Sequence, residues 1–184
     1  MFSDTNISMM ENALRLAALG RFSTSPNPRV GCVIAHGSQI VGQGFHVKAG
    51  EPHAEVHALR QAGEMAKGAT AFVTLEPCSH YGRTPPCAEA LLRSGVTRVV
   101  AAMRDPNPPV AGKGLVLLKA AGIKTECGLL ENKARELNRG FLSRIERRRP
   151  FVRLKCAVSL DGKTALSDGS SFWITGEEAR ADVQ

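Results

Sequence analysis

Residues 52–60 read PHAEVHALR, and the reading of this stretch decides how the rest of the chain folds. Two histidines, His53 and His57, stand four apart, so on a helix they share a face, and the carboxylate Glu55 lies between them. Three readings are open: a zinc protease helix, a zinc deaminase helix, or an ordinary amphipathic helix. The protease pattern needs Glu directly after the first His, as H-E-x-x-H. Here Ala54 intervenes and that pattern is absent.

The pattern H-x-E is present as His53–Ala54–Glu55. A deaminase centre then needs P-C and a further Cys downstream. Glu76–Pro77–Cys78 supplies the first, and Cys87 is the available second. Each residue falls at the end of an expected element. His53 stands before a helix expected over 54–66. Cys78 follows the strand expected in "ATAFVTLEP". Cys87 follows Pro85–Pro86, residues suited to the first turn of the helix in "PPCAEALLRSG". Helix N-termini carry partial positive charge, which favours thiolates. Three protein ligands leave one position of a tetrahedral zinc open to water, the arrangement of catalytic rather than structural sites. Glu55 binds no metal in this reading. It takes a proton from the water and passes it to the departing amine. A structural site would recruit His57 or His80 as a fourth ligand; His57, one turn after His53, is read instead as a packing or supporting residue.

Outward from the motif, apolar periodicity predicts a helix over 4–19 stopped by Gly20. A rigid loop, "STSPNPRVG", follows, then a hairpin in "VGCVIAHGSQIVGQGFHV" turning at His36–Gly37–Ser38. Beyond the two motif segments come a strand in "VTRVVAAM", a helix in "GKGLVLLKAAG", a strand in "IKTECG" and one long helix in "LLENKARELNRGFLSRI". This order predicts an α/β domain over residues 1–147, a mixed five-stranded sheet with helices on both faces. From residue 148 a second domain is expected to begin, with a strand–turn–strand in "FVRLKCAVSLDGKTAL" around Asp161–Gly162 and a helix started at "TGEE". A lone hairpin and two helical turns cannot bury a core, so this part is read as an incomplete domain.

Composition narrows the classes. The 184 residues are 43 % apolar with 18 Gly and 10 Pro, as in a compact α/β protein rather than a disordered chain. The start carries no basic, apolar signal peptide, and no apolar run approaches the roughly 18–20 residues of a membrane helix. Five cysteines without signs of export suit a reduced, cytoplasmic protein. Cys32, Cys127 and Cys156 sit in apolar expected strands and read as core. The net charge of +7 suits either a nucleic acid or a small phosphorylated substrate. Five arginines crowd into residues 139–150, "RGFLSRIERRRP", a run read as a solvated face.

The spacing of the cysteines separates the deaminases. Nucleoside, nucleotide and tRNA deaminases use P-C-x-x-C, whereas here eight residues part Cys78 from Cys87. "HAEVHAL", "TLEPCSHYGRTPPC" and "DPNPPVAGKG" resemble the bifunctional deaminase/reductase family of riboflavin biosynthesis, from about residue 7 to the end of the sequence. That resemblance implies a three-layer α-β-α, cytidine-deaminase-like domain with one catalytic zinc on His53, Cys78 and Cys87, and Glu55 as the catalytic proton carrier. The implied reaction is hydrolysis of 2,5-diamino-6-(5-phosphoribosylamino)pyrimidin-4(3H)-one at the ring carbon bearing the 2-amino group. It gives 5-amino-6-(5-phosphoribosylamino)uracil and ammonia.

Asn27, an amide that both donates and accepts, suits a pyrimidinone edge. His46 resembles a family position near the pyrimidine. His80 and Arg83 lie in the loop between the cysteines, and Arg83 suits the ribose phosphate as a bidentate donor. "DPNPPVAGKG" is read as a wall of the pocket, not a P-loop. "LKCAVSLDGKTAL" and "SSFWITGEEARADV" resemble the start of the family's dihydrofolate-reductase-like domain, which reduces the ribosyl group with NADPH. By position, Ala157 and Trp173 then belong near the cofactor and Ser171 near the substrate, with Lys155 a further phosphate or catalytic contact. With so little of that domain present, these 184 residues are expected to have no reductase activity.

The family commonly forms dimers or tetramers. The competing readings are a zinc deaminase of nucleosides, nucleotides or tRNA, and a zinc-stabilised binding module without catalysis. Against nucleic acid stand the distance in sequence from the arginine run to the motif and the single Trp and Tyr available for stacking.

Overall fold

β1 (Gly31–His36) is buried at five consecutive positions rather than at alternate ones, so both of its faces are covered. It lies inside a five-stranded sheet of order β2-β1-β3-β4-β5, with β2 Gln39–Phe45, β3 Thr70–Val73, β4 Arg98–Ala101 and β5 Lys124–Cys127. The computed structural model of the chain describes residues 2–81, 85–108 and 110–183. β1 runs antiparallel to β2 and β3, whereas β3, β4 and β5 are parallel, so the sheet is mixed as expected. The parallel pairs require crossovers. These are supplied by α3 (Cys87–Arg93) between β3 and β4, and α4 (Lys113–Ala120) between β4 and β5.

The other helices of this part are α1 Asp4–Leu19, α2 Ala54–Ala62, α5 Glu131–Leu137 and α6 Arg139–Arg147. Their contacts fall into two sets, α1 with α5 and α5 with α6, and α2 with α3 and α3 with α4. The core between them holds Met10, Val33, Ile34, Phe72, Val99 and Leu118, each at most 1 % exposed.

α2 carries the motif, and two glycines of β2 set its height. A Cβ on Gly42 would meet the Ala58 carbonyl oxygen at 2.2 Å, and one on Gly44 would meet the His57 Cβ at 2.5 Å. Without side chains there, α2 rests on the strand backbone itself, which fixes His53 and Glu55 relative to the sheet.

The structure departs from the sequence expectations in two places. The single helix expected near the end of the first domain breaks at Asn138 into α5 and α6. Asn138 accepts the Arg29 N–H at 2.8 Å and donates to the Arg29 carbonyl at 3.0 Å, a reciprocal pair that competes with continued helix.

The chain divides into two compact units, Met1–Pro150 and Phe151–Gln184. In the second, the strand–turn–strand is not formed as a ladder among the described residues. A tight turn is present, with the Ser159 N–H on the Lys163 carbonyl at 2.9 Å, and the helix α7 covers Glu177–Val183. An isolated two-stranded ribbon is marginal in water without further strands to cover its apolar face. Accordingly Cys156, expected in a core strand, is exposed. No helix among the described residues is long and apolar enough to cross a membrane.

Candidate active site

Three chain segments bring His53, Cys78 and Cys87 together. His53 is the residue before α2 and keeps an extended backbone, so its ring is aimed past the helix end rather than along its face. Cys87 is the first residue of α3, after Pro86. Cys78 lies in the loop leaving β3, and its Sγ accepts the backbone N–H of Cys87 at 3.3 Å. His53 Nδ1 lies 3.2 Å from Cys87 Sγ and 3.6 Å from Cys78 Sγ. The three donor atoms all fall within 4.8 Å of one another.

Tetrahedral zinc with Zn–S near 2.3 Å and Zn–N near 2.0–2.1 Å places its ligand atoms roughly 3.5–3.8 Å apart. One imidazole nitrogen and two thiol sulfurs, with the nitrogen 3.2 and 3.6 Å from the sulfurs, match a zinc donor set and need only small adjustments to close on the ion. Hydrogen bonding from Cys87 holds the Cys78 thiol well below the ordinary range, and the same contact, with burial, pushes Cys87 well above it. His53 is raised by its bond to Cys78.

Glu55 sits beside this cluster, 3 % exposed, and burial pushes its carboxyl up to about 6. A carboxyl tuned toward neutrality can both accept and return a proton. Cys32 lies near Glu55, fully buried, and burial raises its thiol well above the usual range, as for an inert core thiol.

His46 closes the other side. Its ring meets that of His53 edge-on, 5.3 Å between centroids. Nδ1 faces the Pro52 carbonyl at 3.2 Å and so must donate. Burial pushes the imidazole pKa down and keeps the ring neutral, which leaves Nε2 to accept from the Asn27 amide at 3.2 Å. That chain of bonds fixes the orientation of Asn27.

Asn27, His46, His53, Glu55, Cys78 and His80 line a single cavity of about 260 Å³. The wall expected from "DPNPPVAGKG" contributes Asp105, Asn107 and Val110. Arg83 lies outside the described residues. Sequence reasoning missed Glu76, which stands two residues before Cys78 and also lines the cavity. Its buried carboxylate accepts four backbone N–H groups, from Asp105 (3.2 Å), Gly112 (2.8 Å), Gly114 (3.0 Å) and Leu115 (3.3 Å). It also missed Phe141, Arg144 and Ile145 of α6, which complete the lining although the arginine run was read as a solvated face. The available signal was the apolar pair Phe141 and Ile145, four apart beside Arg144.

In the second unit, Lys155, Ala157, Ser171 and Trp173 line a separate cavity of about 480 Å³. The Arg180 guanidinium stacks 4.1 Å from the Trp173 ring centre, and the Ser171 hydroxyl donates to the Thr164 carbonyl at 2.8 Å.

Comparison with known proteins agrees with this geometry. The family model described as "Cytidine and deoxycytidylate deaminase zinc-binding region" matches residues 3–103, and that of the "RibD C-terminal domain" matches residues 150–184. The chain is 60 % identical over 183 residues to the riboflavin biosynthesis protein RibD of Haemophilus influenzae, covering 100 % of this chain and 49 % of that one. It is 51 % identical over 136 residues to the diaminohydroxyphosphoribosylamino-pyrimidine deaminase of Buchnera aphidicola subsp. Schizaphis graminum, covering 74 % of this chain and 92 % of that one. The solved structure of Acinetobacter baumannii RibD, form 1, superposes with a TM-score of 0.91 at 60 % identity, over 97 % of this chain and 50 % of that one. The chain thus spans about half the length of the full-length RibD relatives it matches. With the sheet order, the His–Cys–Cys cluster and these matches together, the chain belongs to the RibD family of zinc-binding deaminases and carries its deaminase part.

Proposed function

We propose that the first unit hydrolyses 2,5-diamino-6-(5-phosphoribosylamino)pyrimidin-4(3H)-one to 5-amino-6-(5-phosphoribosylamino)uracil and ammonia. The observation that carries the reading is the buried Glu55 carboxyl beside the His53–Cys78–Cys87 cluster, with Glu55, His53 and Cys78 lining one small cavity. Zinc held by His53, Cys78 and Cys87 supplies, when bound, a water acidic enough to react at neutral pH. Glu55 accepts a proton from that water and returns it to the departing amine, so that water is consumed and ammonia released. Asn27, oriented by neutral His46, presents its amide to the pyrimidinone edge, and His80 faces the same cavity. Arg83 is proposed to bind the substrate phosphate. The small cavity leaves little room for bulk water around the reacting carbon and favours a small substrate over a nucleic acid.

The second unit is read as the start of a reductase domain, Ala157 and Trp173 toward NADPH and Ser171 toward substrate, with Lys155 beside them. The match of residues 150–184 to the RibD C-terminal domain supports this. A cytoplasmic homodimer or tetramer belongs to the same reading.

The test is ammonia release from the phosphoribosylaminopyrimidinone by the zinc-loaded chain, with cytidine as control. Release confined to the first substrate supports the proposal. Turnover of cytidine alone would place the chain with nucleoside deaminases instead.

A further inference from the structure

We infer that Arg144 of α6 is a specificity-determining residue that binds the phosphate of the substrate at the mouth of the cavity; the inference rests on the deaminase reading above. Three observations carry it.

The first is size. The cavity of about 260 Å³ lies below the ~300–1,000 Å³ common for sites that enclose a whole small molecule. A pyrimidine ring fills it, and a ribose phosphate attached to that ring has to project through the opening.

The second is charge. Glu55, Glu76 and Asp105 line the interior, so a phosphate dianion is repelled from the depth of the site and held only where a cation faces it. Among the described lining residues, Arg144 is the one permanent cation; His46, His53 and His80 are imidazoles.

The third is the state of the guanidinium. Neighbouring Arg135 and Arg139 are tied to Glu146 and Glu136, at 2.8 and 2.5 Å. Arg144 has no carboxylate partner among the described residues. One nitrogen donates to the Pro26 carbonyl at 3.0 Å, and the group stands 5.9 Å from the Phe141 ring centre. These contacts hold the exposed side chain beside Asn27 with most of its five N–H donors uncommitted, the state suited to bidentate phosphate binding.

The experiment compares the 5-phosphorylated substrate with its dephosphorylated ribosyl counterpart, on the zinc-loaded chain and on Arg144→Ala and Arg144→Lys. Wild type is expected to favour the phosphorylated form. Arg144→Ala should raise KM for it about ten- to hundredfold with little change in kcat, weakening the preference beside whatever Arg83 contributes. Arg144→Lys should restore part of it. Equal losses on both substrates would show that Arg144 only braces the Pro26 loop, and an unchanged preference would remove it from the site; either overturns the inference.

Titration with ribose 5-phosphate against ribose, read by calorimetry, gives a second readout independent of turnover. Wild type should bind the phosphate better, and Arg144→Ala should lose most of that advantage. If wild type releases no ammonia from either substrate the deaminase reading fails, and the titration still decides whether Arg144 holds a sugar phosphate.

Discussion

The carboxylate of Glu76 accepts the N–H of Gly114 at 3.0 Å, and a Cβ on that glycine would stand 1.9 Å from the carbonyl oxygen of Pro77, the residue before Cys78. The start of α4 is therefore clamped onto the backbone that delivers a zinc ligand. The clamp also sets Asp105, whose own N–H reaches the same carboxylate. Exchanging Glu76 for Gln places an NH₂ donor among four N–H donors. We expect Glu76→Gln to cost about 2 kcal/mol of stability and Gly114→Ala about 1–3 kcal/mol, both read from denaturant midpoints. Midpoints unchanged in both variants would show that the clamp is incidental.

Asn138 joins two segments far apart in sequence, since both its amide groups bond the backbone of Arg29. The joint turns α6 so that Phe141, Arg144 and Ile145 reach the cavity. Asn138→Ala removes both part-buried bonds to the Arg29 backbone and should cost about 1–3 kcal/mol. KM for the pyrimidine substrate should rise as well. Asn138→Asp, which keeps the acceptor, should recover part of the stability. A variant as stable as wild type would mean that water replaces the side chain.

The difference between the parts legible in sequence and the parts that were not has a physical origin. His53, Cys78 and Cys87 stand at element ends, where a cap, a strand exit and a Pro–Cys helix start each leave a local signature, and their chemistry is scarce enough to recognise. The sheet was legible for a similar reason: a hairpin followed by alternating helices and strands admits few topologies. The roles of Glu76, Arg144 and Asn138 depend on partners brought in by folding. Glu76 bonds amides 29 to 39 residues away and Asn138 a backbone 109 away, and no local pattern encodes such pairings. The strands expected after Pro150 failed in the opposite sense. Their local pattern was present, but among the described residues of the second unit no sheet stands beside them to make a ladder.

Zinc uptake should release protons, and more of them as the pH falls. The metal takes two thiolates and a neutral imidazole. In the free site the Cys78 thiol is acidic, whereas Cys87 and His53 hold their protons more tightly than usual. At alkaline pH the proton expelled should be chiefly that of Cys87. Toward pH 6 the His53 proton joins it, so affinity weakens as pH falls. Calorimetry in buffers of different ionisation enthalpy measures the count. A count that stays near zero would show that both thiols are already ionised before the metal arrives.

Glu55→Gln separates catalysis from metal binding. The carboxyl is buried, tuned to about 6, and is not one of the three clustered donors, so the amide should fill the same space and leave the zinc content intact. Without a group able to take and return a proton, ammonia release should fall about 10²–10⁴-fold. Metal content by atomic absorption and turnover by ammonia assay are to be measured on the same preparation. Loss of both together would make Glu55 part of the architecture that holds the ion. Retention of both would remove Glu55 from the reaction. Zinc retained with turnover lost is the outcome the geometry predicts.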